Sequence, residues 1–166
     1  MTSPLHPDAT RWNEGAGDWK SHPFLENLSP EHLAELTACA MPSGFAADEI
    51  IFREGEMANR FYLILEGCVI LETRTPDSSS VKVDLLSAGD VLGWSWLFPP
   101  YLWNFTARAS SSVRATFFYG TWLRQRCADD PVFGHELMRR MAGVVIRRLQ
   151  VTRQQLIRSA VRLHAV

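Results

Sequence analysis

The sequence predicts a mainly β domain with flanking helices: a barrel or jelly roll followed by one long C-terminal helix. Three observations carry this. Between Phe45 and Phe118, short apolar runs are separated by Gly, Asp, Asn, Ser and Pro clusters, the pattern of closely spaced strands joined by tight turns. After Gly120 the apolar spacing becomes helical. The chain has 166 residues with 46% hydrophobic content, enough for one real core but short for two complete domains.

The elements follow in order. Residues 1–22 are polar, with Gly15 and Gly17, and read as an N-terminal arm or a loosely docked turn. Its Trp12 and Trp19 are expected to pack on the domain surface. Ser29-Pro30-Glu31 is a helix start with Pro at the first helical position, and the helix runs to Ala40 with Leu33 and Leu36 inward. Strands are read at Ile50-Ile51-Phe52, Phe61 to Leu65, Val69 to Leu71, Val81 to Leu86 and Val113 to Phe118, with an exposed hairpin tip from Thr75 to Ser80. Thr121 to Cys127 forms a short helix. Asp129-Asp130-Pro131 caps the next, which runs from Val132 to about His164.

That long helix has two features of its own. Ala142, Val145, Leu149, Thr152, Leu156, Ser159 and Leu163 follow an a/d heptad frame. Between Val132 and Val166 there are seven arginines and one acid, Glu136. A basic helix can face nucleic acid, acidic lipid or an acidic protein surface. Its arginines can equally flank the heptad seam and meet acids of the protein's own β domain.

Several function classes find no support. No uninterrupted apolar run reaches about 18 residues, the length of a membrane span, and Met1 to Lys20 lacks the apolar stretch of a signal peptide. Cys39, Cys68 and Cys127 lack metal-ligand spacing, so they are read as reduced thiols of a cytoplasmic protein. No histidine lies between Phe45 and Gly120, whereas barrel metalloenzymes need imidazole and carboxylate ligands converging on one metal. His6, His22, His32, His135 and His164 lie outside that stretch and are expected at the surface. No nucleophile elbow, zinc-helix or P-loop motif appears. The expectation is a protein without catalysis, metal or cofactor.

Residues Gly89 to Ala109, GDVLGWSWLFPPYLWNFTARA, resemble the phosphate-binding cassette of the cyclic nucleotide-binding domain family, the β-roll of catabolite-activator-like regulators. Phe52-Arg53-Glu54-Gly55-Glu56 with Phe61 to Val69 resembles that family's glycine-punctuated strand and hairpin, and Arg147 to Thr152 resembles the end of its long helix. The similarity runs from Pro23 to Leu163. It implies a domain over 23–166 with a double-stranded β-roll at about 45–119 and a dimerisation helix at about 132–164. It further implies a parallel homodimer through Ala142, Val145, Leu149, Thr152, Leu156 and Leu163, and a regulatory or sensory function.

The resemblance also exposes a departure. In the family's cassette a Glu accepts from the ribose hydroxyl and an Arg pairs with the cyclic phosphate. Aligned without a gap, Leu92 and Gly93 take the first two positions, Leu97 and Phe98 the paired apolar ones, Trp94 the Glu position and Trp103 the Arg position. A charge-assisted hydrogen bond contributes roughly 1.5–3 kcal/mol. Indole offers one N–H and no charge.

Three readings of the pocket stay open. Substitutes could serve a cyclic nucleotide: Asn104 or Arg108 for phosphate, Ser95 for ribose and Thr152 for the base. Alternatively the aromatics, Trp94, Trp103 and Phe105 among them, occlude the site or line it for an uncharged or aromatic effector. The third is an enzyme of a similar metal-binding barrel; separately, one of the histidines could ligate haem, as in a carbon monoxide sensor of the family it resembles. The reading adopted is loss of ordinary nucleotide binding, with an unknown small-molecule effector or protein partner and a protein-interaction adaptor as an alternative. The sequence ends at Val166, and a helix-turn-helix would need roughly 40 further residues, so no DNA partner is expected, nor a membrane.

Overall fold

Two neighbouring strands, apolar on both faces, organise the fold. β3 (Arg60–Glu66) and β8 (Val113–Tyr119) pair antiparallel with Phe61 opposite Phe118 and Tyr62 opposite Phe117. Successive side chains leave a strand on opposite faces. Tyr62 and Ile64 therefore join Val113, Ala115 and Phe117 on one side, in a cluster completed by Phe52, Val69, Leu71, Leu86, Leu92 and Trp103. Phe61, Leu63 and Phe118 point the other way and are also fully buried. There Trp19 meets Phe118 edge-on at 5.5 Å, Phe24 meets Phe61 at 5.8 Å, and Trp96 stacks on Phe61 at 5.6 Å.

The computed structural model describes residues 18–164. Most of the expected arm, with Trp12 and His6, lies outside the described residues. Its last residues form two 3-10 turns, Asp18–Ser21 and Pro23–Leu25. α1 (Pro30–Cys39) is capped by the Ser29 hydroxyl, which accepts from His32 N at 3.2 Å. Its buried positions are His32 and Leu36, with Leu33 only half-buried.

Two histidines differ from expectation. His22 and His32 are buried, not at the surface. The His22 ring is accommodated because both nitrogens are used: Nδ1 accepts from Phe24 N at 3.1 Å and Nε2 lies 3.2 Å from the Asp90 carbonyl. Trp19 packs edge-on against Phe118 and is buried there.

The remaining strands are β1 (Met41–Phe45), β2 (Ile50–Phe52), β4 (Cys68–Arg74), β5 (Ser80–Ser87), β6 (Val91–Leu92) and β7 (Thr106–Ala109). They form two antiparallel four-stranded sheets, ordered β1-β8-β3-β6 and β2-β7-β4-β5. This is a jelly-roll-like double-stranded β-roll. β1 carries Pro42 and Gly44, which hid it in the sequence; at a sheet edge a proline leaves no central ladder bond unmade.

α2 (Gly120–Asp129) follows β8, and α3 (Pro131–His164) follows α2. Chain contacts divide the protein into residues up to 125 and a second unit from 126 onward. In that second unit, Asp130 Oδ1 accepts from Val132 N at 3.0 Å and Phe133 N at 3.1 Å, capping α3. Phe133, Leu137, Met141 and Val144 are buried at helical spacing. From Leu149 to Arg162 every side chain of α3 is exposed.

Candidate functional site

The segment after β6 begins with a turn that strongly favours glycine. Gly93 has φ +91°, and a Cβ there would lie 2.8 Å and 2.9 Å from Cζ3 and Cη2 of Trp103. Both the backbone conformation and the space penalise a side chain. Trp94 and a 3-10 turn, Ser95–Leu97, follow. The chain then returns antiparallel to residues 55–58: Ala58 N donates to Tyr101 O (2.7 Å), Trp103 N to Glu56 O (2.9 Å), and Gly55 N to Trp103 O (2.8 Å), with a bridge between Met57 and Leu102.

That pairing decides which ring faces in. Alternation sends Leu102 outward, 37% exposed, and Trp103 inward, 5% exposed. The Trp103 indole stacks on Phe52 with ring centroids 3.8 Å apart and planes 11° off parallel. Trp94 is half-buried and lines the same cavity with Leu92, Gly93, Ser95, Trp103, Asn104 and Phe105. Two lining residues, Phe52 and Leu71, were not among the expected pocket residues; strand alternation in β2 and β4 was the signal available for them.

What remains of the cavity is about 20 Å³, room for about one water. Sites for small organic ligands are usually about 300–1,000 Å³. None of the lining residues is charged. Its two amide and hydroxyl side chains serve one another, Asn104 Nδ2 donating to Ser95 Oγ at 3.1 Å.

The other expected site residues lie elsewhere. On β7, Ala107 and Ala109 are wholly buried while Arg108 and Thr106 are half-buried on the opposite face. The Arg108 guanidinium pairs with Glu72 of β4. Thr152 is exposed on α3, in the second unit. Of the heptad residues, Val145 is half-buried, Ala142 is exposed, and Leu149 and Leu156 are 68% and 67% exposed; the Leu163 side chain lies outside the described residues. Arg139 and Arg140 both pair with Glu136, whose carboxyl is held below its ordinary range first by the Arg139 hydrogen bond.

No helix among the described residues is long and apolar enough to cross a membrane. Among them no cluster of three or more His, Cys, Asp or Glu side chains could hold a metal ion.

A family model described as "Cyclic nucleotide-binding domain" matches residues 43–130. Curated proteins from two strains of Mycobacterium tuberculosis, CRP-like cAMP-activated global transcriptional regulators, are 30% identical over 133 residues, 80% of this chain. The chain spans 58% of the length of these relatives. A solved structure from Geobacter metallireducens GS-15, provisionally described as a cyclic nucleotide-binding protein, has a TM-score of 0.71 at 28% identity, covering 80% of this chain and 96% of that one. The N-terminal domain of a transcriptional regulator from Streptomyces coelicolor A3(2) has a TM-score of 0.63 at 26% identity, covering 82% and 93%.

Proposed function

Because this chain belongs to the cyclic nucleotide-binding domain family, we propose that it is a non-enzymatic regulatory or sensory domain whose cassette no longer takes a cyclic nucleotide. The observation that carries this is the Trp103 ring, stacked at 3.8 Å on Phe52 in the middle of the core cluster. A cyclic nucleotide needs a cation and several donors for its phosphate and a carboxylate for its ribose. The cavity lining has no charge, and its amide and hydroxyl are already paired with each other. Admitting the ligand would require both removing an indole from the core and burying an unpaired anion, which is strongly unfavourable. The partner of Arg108 is Glu72, on the opposite face of its sheet, which leaves it a poor substitute.

The domain works as a cytoplasmic homodimer through the exposed length of α3. Support comes from Leu149, Leu156, Ile157 and Val161, each more than half exposed, because such apolar surface gains most when covered. An adaptor function is favoured by the same helix, whose Arg147, Arg153, Arg158 and Arg162 are exposed among those apolar side chains.

Calorimetric titration with cyclic AMP and cyclic GMP tests the reading. No saturable heat is expected for either. Micromolar binding of either one, lost on substitution of cassette residues, would restore the ordinary sensor function.

A further inference from the structure

The second sheet carries a larger cavity on its other face. Ile50, Arg53, Glu72, Thr73, Arg74, Ser78, Ser80 and Thr106 line this open groove of about 480 Å³. That volume is within the ordinary range for small-ligand sites, about 300–1,000 Å³. It lies on the face of β7 away from Ala107 and Ala109, so it shares no lining residue with the cassette cavity.

The charges around it are unequally engaged. Glu72 is taken by Arg108. Glu54 accepts from the Thr73 hydroxyl at 3.1 Å and from Arg74 N at 3.2 Å, and Glu56 accepts from Arg53 N at 3.1 Å. The guanidinium groups of Arg53 and Arg74, by contrast, have no ion pair among the described residues. Thr106 Oγ1 already accepts from Glu54 N at 3.0 Å, which leaves its hydroxyl proton to be donated. Ser78 and Ser80 add hydroxyls at the hairpin side.

We infer that this groove binds a phosphorylated small metabolite, its phosphoryl group held by Arg53 and Arg74 and its organic part lying over Ile50. Two planar guanidinium forks and several hydroxyls outnumber the oxygens of one carboxylate and suit a phosphoryl group, which accepts bidentate arginine bonds. The cavity is too large for a bare phosphate, hence a monoester. This inference is independent of whether the cassette is closed.

The test is two-dimensional amide NMR of the full chain titrated with glucose 6-phosphate and with inorganic phosphate, at ionic strength held constant with chloride, and with citrate as the non-phosphoryl anion. Saturable shifts at Thr73, Arg74, Ser78, Ser80 and Thr106 are expected with both phosphates, tighter for the ester. The Arg53→Gln/Arg74→Gln variant should bind about tenfold or more weakly with an unchanged melting temperature. Shifts that match the chloride control, equal binding by citrate, or full affinity in the double variant would each overturn the inference. Shifts at Gly93, Ser95 and Asn104 instead would point to the cassette, separating failure here from failure of the closed-cassette reading.

Discussion

The indole of Trp103 lies on the phenyl ring of Phe52, centroids 3.8 Å apart and 11° from parallel, so a residue of the loop before β7 is built into the core beside β2. The stack joins two segments whose backbones are also hydrogen-bonded through Gly55, Glu56 and Trp103. Ring and backbone therefore enforce the same closure.

Replacing Trp103 by Ala removes a buried ring, and large aromatic truncations of this kind cost about 3–5 kcal/mol. Urea unfolding should show a lower midpoint with a similar slope. The enlarged cavity should still fail to bind cyclic AMP by calorimetry, because truncation adds volume but no cation.

Gly93→Ala should be destabilising on two counts: φ +91° and a Cβ 2.8 Å from the Trp103 ring. The backbone part is about 1–3 kcal/mol. In the Gly93→Ala/Trp103→Ala double variant the steric part disappears, so the combined loss in urea unfolding should be less than the sum of the two single losses.

The His22 site predicts a pH dependence. Burial, opposed by weaker contributions from Asp90 and Ile64, holds the His22 pKa below its ordinary value of 6.5. Phe24 N donates to Nδ1, so a second ring proton would face a donor. Between the folded and unfolded pKa values the unfolded chain binds more protons, and stability falls as pH drops below about 6.5. The melting temperature should decline from about pH 7 to about pH 5, with a shallower decline in His22→Gln.

Strand alternation was legible where a run was apolar enough to mark it. β3 and β8 stood out because Phe61 to Ile64 and Ala115 to Phe118 are buried on both faces. β6 has two residues, and β7 presents only Ala107 and Ala109 inward, so neither carries a hydrophobic period long enough to detect. His22 was missed for another reason. Its two hydrogen-bond partners, Phe24 N and the Asp90 carbonyl, are main-chain groups that no side-chain pattern announces.

Burial pushes the Cys39 thiol up to about 12, so it holds almost no thiolate at neutral pH. Alkylation by iodoacetamide at about pH 8, followed by mass spectrometry, should modify Cys39 much more slowly in the native protein than in urea, since thiolate fraction and access control the rate. Equal rates in both states would contradict this placement.

Leu149 and Leu156 are 68% and 67% exposed on α3, so charge at either should leave the single chain folded. Leu149→Arg/Leu156→Arg is expected to sediment as a monomer with an unchanged melting temperature at low concentration, whereas the unaltered chain sediments as a dimer. A monomeric unaltered chain would remove the homodimer from the proposal.

By itself the sequence determined the class of fold, through its change from strand to helical period near Gly120, and it put indoles at positions 94 and 103. The tertiary structure decided where those side chains go: Trp103 into the core, Trp94 beside the residual cavity, and Arg108 to Glu72 on the opposite face. The reason is that the face a strand residue occupies depends on hydrogen-bond register with a distant segment, and a shift of one residue reverses it.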